Sequence, residues 1–499
     1  MLTPVGEGRF VDRRDVEYPP GMRLEVAAEN LRAPTAIAFA DNGIVVAENG
    51  LAQGGDPVLR LYRFDGTTDT LYPRRNPLIP DFLEKINDPR RIRGPIGGLL
   101  LLGNKLFITH RDERDLGVVT ALDMRDYTLM TVVADIPTAG EHSITDLAVH
   151  PTSGRLYFGV GSATNSGVVG LDDWKLGWVA QHRTFHDKPA TDLRLRGYRF
   201  DTDNPDAGWF RGNDVAVTGP FVPFGESAQS ADAAVDGKPT AAIYSISPTG
   251  GDLRVEAHGI RNPVGLTFND FGNLFVSNRG MELRGTRPVA DDPDAVYRVP
   301  LGTTMSENGG TWFGWPDYSA DLRPITDPAF APPTSMLAAT GYPELAPLID
   351  HDDSDLLAPD RDTLLRGVFP PTATPAKLDF PPDTEVFRPY RDDLIVPLVG
   401  EIDFSTLAGK VVRVEPDFRR TSDFVYNTRR QPSSLINGVS DALEHPIAVR
   451  SLDGALYILD VGELREKRGQ FHPLGRTGRL YRLTEIPAEP TVPATEPAE

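Results

Sequence analysis

The chain contains no cysteine, which excludes disulfides, thiolate metal ligands and a cysteine nucleophile. No apolar run approaches the ~20 residues that a membrane-crossing helix requires. Residues 1–23 are polar and carry no hydrophobic region of a signal peptide. Basic residues are outnumbered: 51 Lys and Arg stand against 71 Asp and Glu, a net charge of −20. Neutralising a phosphate backbone needs a concentrated basic face, so this balance argues against a nucleic-acid partner. G-x-S-x-G, P-loop and HExxH motifs are all missing, which leaves serine hydrolase, nucleotide and zinc-protease readings without support.

What the chain does have is punctuation, 47 glycines and 45 prolines, as suits short strands joined by tight turns. One unit recurs: an apolar strand, a turn with Gly, Asn or Asp, and a second strand. Its copies are Ala36–Gly50, Gly98–Arg111, Asp146–Ser162, Gly265–Gly280, Glu385–Gly400 and Ile447–Gly462. Aromatic and β-branched residues flank each turn, so each copy is predicted to be a β-hairpin. A short strand follows every copy: Leu61–Phe64, Val119–Leu122, Ile243–Ile246, Val296–Val299, Val411–Val414 and Leu480–Leu483. Six hairpins with six trailing strands predict an all-β, six-bladed β-propeller. Unequal spacing places two long loop insertions at about 167–241 and 316–376, both without sustained helical periodicity. The expected layout is an N-terminal extension over 1–19, the propeller over 20–487 and a disordered tail over 488–499.

Particular segments carry a resemblance. Gly259–Leu266 reads GIRNPVGL and runs on as TFNDFGNLFVSNRG to Gly280; Pro34–Phe39 reads PTAIAF, Asn308–Pro316 reads NGGTWFGWP, and Phe380–Pro382 reads FPP. Together these resemble the glucose/sorbosone dehydrogenase family of soluble quinoproteins, over most of Pro20–Leu483. The resemblance implies pyrroloquinoline quinone (PQQ) with calcium over the propeller channel, a sugar or other alcohol as substrate, and an external electron acceptor. It also implies a periplasmic or secreted protein, although the chain shows no signal peptide. His142 matches the family's catalytic base, and an imidazole titrating near neutrality suits proton abstraction from a hydroxyl. Arg261 and Asn262 match the residues that face quinone and substrate, and Asn165 lies in a GS-x-x-N strand end like that of the sorbosone branch. Gly280 and Met281 occupy positions whose carbonyls bind calcium in the family.

The chain also departs from that pattern. Glu401, Asp403 and Glu444 stand where the family clamps the quinone carboxylates with Lys and Arg, and Lys410 and Arg450 are out of register for that role. Ser162 replaces the aspartate that orients the base in the glucose enzymes. Two alternatives therefore stay open: a non-catalytic propeller binding a ligand or protein partner, and a calcium-dependent lactonase-like hydrolase. The second would draw on polar strand ends at Glu48, Asn49, His110–Glu113, Ser162, Asn165, Asn278, Arg279, Glu401, Asp403 and Asp460. Asp291, Asp292 and Asp294 read as a solvated turn, and Asp350–Asp355 as a surface loop without the spacing of a calcium-binding loop.

Overall fold

Short apolar runs rich in β-branched and aromatic residues, broken by turn residues, form six antiparallel sheets around one axis. This computed structural model describes residues 2–3, 7–51, 56–73, 92–207, 214–227, 232–302, 310–353, 356–400, 409–416, 420–436, 441–467 and 470–486. Blade 1 is built from Ala36–Ala40, Gly43–Glu48, Val58–Arg63 and Thr68–Tyr72, and blade 2 from Arg93–Leu102, Lys105–Arg111, Gly117–Asp123 and Leu129–Ile136. Blade 3 contains Ile144–Val149, Leu156–Val160, Ala242–Ile246 and Arg254–His258. Blade 4 contains Pro263–Phe268, Leu274–Asn278, Asp294–Val299 and Leu365–Phe369. Blade 5 holds Leu394–Leu398, Lys410–Val414 and Thr421–Asn427, with Val16–Glu17 on its outer edge. Blade 6 holds Pro446–Leu452, Ala455–Asp460 and Gly478–Glu485, and Met22–Leu31 from the other end of the chain completes it. The six-bladed expectation is therefore met.

One predicted hairpin differs. In Glu385–Gly400 only Leu394–Leu398 is a strand, and Arg388–Tyr390 forms a turn of 3-10 helix. Pro389 has no N–H for a ladder, so the innermost place in blade 5 goes to residues 375–379 instead. The backbone there exchanges hydrogen bonds between Asp379 and Ile395 (3.1 and 2.9 Å) and pairs in parallel with blade 6, where Val449 N–H donates to Lys377 O (2.8 Å).

The six innermost segments approach closely at the axis. A Cβ on Gly98 would stand 2.6 Å from Leu147 N, and one on Gly265 2.6 Å from Lys377 Cα. Only glycine admits such an approach. Polar side chains then close the axis. Arg450 of blade 6 reaches across to Asp146 of blade 3 (2.6 Å), Asp146 also accepts from Leu266 N–H (3.0 Å), and Lys377 donates to Thr35 O (2.9 Å). All three side chains are largely buried.

The two insertions are neither separate nor shapeless. Residues 161–241 interrupt blade 3 and contain the short helices Leu171–Leu176 and Trp178–Gln181. Residues 300–364 interrupt blade 4, and their Thr311–Trp312 adds a parallel strand to blade 3. Leu193, Leu195 and Phe221 from the first share a core with Trp312, Trp315, Ile325, Phe330 and Ile349 from the second. A fully buried ion pair, Arg287–Asp317 (3.1 Å), anchors this layer to blade 4. Asp350–Asp355, read as a surface loop, instead sends His351 under it, with Nε2 3.2 Å from Asp317 Oδ2 and the ring beside Trp312; Ser354 and Asp355 lie outside the described residues.

The ring is closed by the register of Met22–Leu31 on Gly478–Glu485, which places Glu25 directly opposite Arg482. Their 2.6 Å ion pair is wholly buried. Removing one partner of such a pair leaves an uncompensated charge, at a cost of about 3–5 kcal/mol. Glu25→Ala is expected to lower stability by about that amount in denaturant unfolding, whereas Arg14→Ala, an exposed residue, should leave the midpoint unchanged.

Candidate functional site

The loop before blade 3 carries His142, and four chain segments knit it in place. Glu141 N–H donates to Ala163 O (2.9 Å), His142 N–H to Ser162 O (3.2 Å), and Ser162 N–H to Arg261 O (2.7 Å). Gly161 is required at the centre of this junction. A side chain there would collide with His142 Cβ and come within 3.3 Å of Asn262 Oδ1. From below, Arg111 braces the same loop through Ser143 Oγ (3.0 Å) and the carbonyls of Gly140 and His142 (both 3.3 Å). Asp187 fixes the neighbouring strand end, accepting from Ala163 N–H (2.6 Å), Thr164 N–H (3.0 Å) and the Thr164 and Thr240 hydroxyls.

Beside the imidazole lies a lattice of alternating charges. Glu141 meets Arg261 (3.2 Å) and Arg284; Arg284 also meets Asp172 (2.6 Å) and Glu282; and Glu282 meets Arg279 (2.5 Å). Burial disfavours ionisation of Glu141, but Arg284 and Arg261 outweigh it and hold this carboxyl below the usual range. Burial likewise opposes Glu282, whose value nonetheless falls to about 2 under Arg279, Arg261 and Arg284. Asp172 and Asp173, at the start of the helix Leu171–Leu176, are both pushed the other way by burial, Asp173 the further.

His142 is nine-tenths buried, and its Nε2, 3.5 Å from Glu141 Oε1, has no hydrogen-bond partner among the described residues. Burial lowers its pKa to about 3, with Arg261 and Arg279 adding to the effect and Glu141 opposing it. The resting imidazole is therefore neutral at ordinary pH, but a weaker base than the near-neutral titration expected of a histidine, because burial penalises its charged form. Glu141 is the residue that the sequence reading missed. Ser162 does stand where the family's aspartate is missing, and the residue immediately before His142 places a carboxylate 3.5 Å from Nε2 without hydrogen-bonding it. An acidic neighbour in the dipeptide, with the further charges in Glu282-Leu283-Arg284 beside Gly280, was the available signal.

The other named residues fall into two groups. Arg261 is fully buried and committed to protein oxygens: Asn165 O (3.0 Å), Gly280 O (2.7 Å) and Glu141. Asn165 uses its whole amide on the 282–284 loop, donating to Glu282 O and Arg284 O and accepting from Glu282 N–H. Met281 is buried, and its N–H donates to Asp292 (2.6 Å). In contrast, the Asn262 side chain makes no hydrogen bond among the described residues, and Arg279 Nε is buried without a partner.

Two expectations need correction. Asp292 and Asp294 do not form a solvated turn; both are buried and cap backbone N–H groups, Asp292 at Met281 and Ala320, Asp294 at Gly280 and Thr374. Burial raises them to about 8 and about 6. Nor do the polar strand ends converge on one site. Glu48 bonds Tyr62 of its own blade, His110 is enclosed between Arg111 O and Thr120 Oγ1, and Asp460 caps the N–H groups of Glu444, His445 and Gly462. Among the described residues no group of three or more His, Asp or Glu side chains is arranged to hold a metal. Glu444 turns to Ser434, and Lys410 pairs with Asp423 (2.6 Å). Glu401 and Asp403 lie outside the described residues. No helix among the described residues is long and apolar enough to cross a membrane.

A scan against protein-family models finds no match, and a search of curated proteins finds none either. Solved structures do resemble the chain. A Trichoderma reesei carbohydrate-active enzyme of family AA12 is 14% identical, with 95% of this chain and 99% of that one covered at a TM-score of 0.50. A PQQ-bound aldose sugar dehydrogenase from Streptomyces coelicolor is 12% identical over 94% and 99% of the two chains, at 0.47. A Trypanosoma rangeli sialidase in complex with sialic acid is 11% identical, covering 97% of this chain and 60% of that one, at 0.38. At 14% identity the likeness to the family AA12 enzyme is one of fold alone.

His142 generates a titration test. Its folded pKa lies below the ordinary histidine value, so stability from the neutral ring is complete above ~6.5 and is lost as pH falls toward about 3. Histidine-ring NMR is expected to show His142 neutral down to about pH 5, while an exposed histidine protonates across the same range.

Proposed function

We propose that the chain is an oxidoreductase that oxidises a hydroxyl of a sugar or similar polyol by transfer of hydride from the carbon that bears it to a quinone, with His142 as the base that takes the hydroxyl proton. The observation that carries this reading is the neutral, nine-tenths-buried imidazole with a polar atom unpartnered, held beside an ionised Glu141. A proton arriving on the ring creates an imidazolium that Glu141 stabilises at 3.5 Å, so base and counter-charge are preorganised together. Gly161 leaves room for Asn262 beside the ring, where its free amide is suited to orient a hydroxyl.

The donor set fits a quinone through residues only partly those that the resemblance names. Asn262 and Arg279 hold the uncommitted donors, and four guanidiniums, Arg111, Arg261, Arg279 and Arg284, surround this end of the channel. Arg261 contributes charge, while its N–H groups serve the protein. When bound there, PQQ supplies the two-electron acceptor that an alcohol oxidation needs. Calcium fits less well, because the Arg261 guanidinium already sits on Gly280 O, and no step is assigned to a metal. The saturation of Arg261 and Asn165 by protein atoms favours one second reading, a propeller that binds a sugar without chemistry.

Titration with PQQ, with and without calcium, followed by dye-linked turnover across aldoses and polyols, tests both. Oxidation that falls by roughly 10²–10⁴ in His142→Ala, with sugar binding retained, is the expected outcome. Glu141→Gln should lower kcat more than it raises KM and move the acid limb of the kcat profile, because the ring loses its counter-charge. Sugar binding with no turnover under any of these conditions would establish the second reading.

A further inference from the structure

Among the described residues four arginine side chains are fully buried: Arg111, Arg261, Arg287 and Arg482. Three of them lie against a carboxylate, Arg261 on Glu141 (3.2 Å), Arg287 on Asp317 (3.1 Å) and Arg482 on Glu25 (2.6 Å). Arg111 has no ion-pair partner among the described residues; its bonds go to carbonyl and hydroxyl oxygens. A buried charge without a counter-charge is costly, and burial lowers Arg111 to about 10, with the charge of Asp115 opposing. Asp115 is itself engaged by His182 (3.0 Å).

What Arg111 holds is the backbone around the base. Its Nε donates to Ser143 Oγ (3.0 Å), and a single nitrogen, Nη2, donates to the carbonyls of Gly140 and His142 (both 3.3 Å). Those two carbonyls flank Glu141, so the clamp spans the Glu141–His142 dipeptide that brings Oε1 within 3.5 Å of Nε2. Residues 137–143 form no strand or helix, so bonds of this kind must fix them. Arg111 is fixed in turn from behind. His110 Nδ1 lies 2.8 Å from Arg111 O, and its Nε2 lies 2.8 Å from Thr120 Oγ1. A carbonyl only accepts, so Nδ1 carries the proton and Nε2 accepts from the hydroxyl. Burial, which lowers His110 to about 4, keeps the ring in that neutral form. The strand Lys105–Arg111 of blade 2 therefore carries a braced fork across to blade 3.

We propose that Arg111 is the positioning residue of the base, a blade 2 guanidinium whose fork fixes the backbone of residues 140–143 and thereby the meeting of His142 with Glu141. The assignment rests on His142 acting as the base and goes beyond it by placing the support in a different blade.

Ring NMR of His142 in the full chain, together with dye-linked turnover in the presence of PQQ, tests it. Arg111→Met keeps the bulk and removes the fork, so the loop loosens and water reaches the ring. The His142 titration midpoint is then expected to rise by about one pH unit or more toward the ordinary histidine value. The charges that act on the ring, Glu141, Arg261, Arg279 and Glu282, are unchanged in that variant. His258, another buried histidine lowered to about 4, should keep its midpoint. Turnover should fall roughly tenfold or more in kcat, with KM within about twofold. Arg111→Lys restores the charge but not the fork, and should restore neither readout. Ser143→Ala, which removes one acceptor, gives a smaller rise of the same sign should Arg111→Met fail to fold. A His142 midpoint unmoved in the folded variants, a parallel shift of His258, or full recovery in Arg111→Lys would each overturn the assignment. Lack of turnover in the unaltered protein would refute the base and not the clamp, which the ring titration decides.

Discussion

Everything in this molecule depends on the pairing of Met22–Leu31 with Gly478–Glu485. A blade in a ring is positioned by its two neighbours, so an open ring leaves the angle between first and last blades undefined and exposes strand edges. The clasp buries Glu25 against Arg482 and aligns two segments about 450 residues apart in sequence. Because the loops that carry His142 and Arg261 begin the innermost strands of blades 3 and 4, their separation is set by the closed ring and not by local sequence. Val16–Glu17 extends the same logic by pairing with blade 5, so the beginning of the chain staples two blades.

Much of this fold was legible because hairpins announce themselves locally. Ala36–Glu48 or Gly98–Arg111 carry apolar runs with a turn residue between them, and every trailing strand named from sequence is a strand. The exception is instructive: residues 375–379 form the innermost segment of blade 5 through bonds to Ile395, Ile447 and Val449. Those partners lie 16 to 72 residues away, and a proline-bounded stretch of five residues advertises no such pairing. The insertions were legible as insertions, but their shared core was not. Contact between Leu195 and Ile349 spans two blades, and no period in either segment encodes it.

The site was legible in its residue types and less so in its bonds. His142, Arg261, Asn262 and Asn165 do come together, since Ser162 N–H donates to Arg261 O and Arg279 N–H to Asn262 O across the junction. Their division of labour was hidden. Arg261 and Asn165 act as internal braces, while Asn262 and Arg279 keep donors free, a difference decided by which carbonyls surround each side chain. The same holds for Asp292 and Asp294, which look like solvent-facing acids in sequence and instead terminate backbone chains inside the protein. A carboxylate's surroundings, not its neighbours in sequence, determine whether it is a surface charge or a buried acceptor.

The bridge from Arg450 to Asp146 has a consequence for traffic through the ring. With Lys377 beside it, the axis is barred by side chains rather than open from face to face. The two faces of the ring are therefore separated at the axis, and a molecule that meets one of them has no passage along it to the other. A propeller with an unobstructed bore would have a through-flow that this one forgoes.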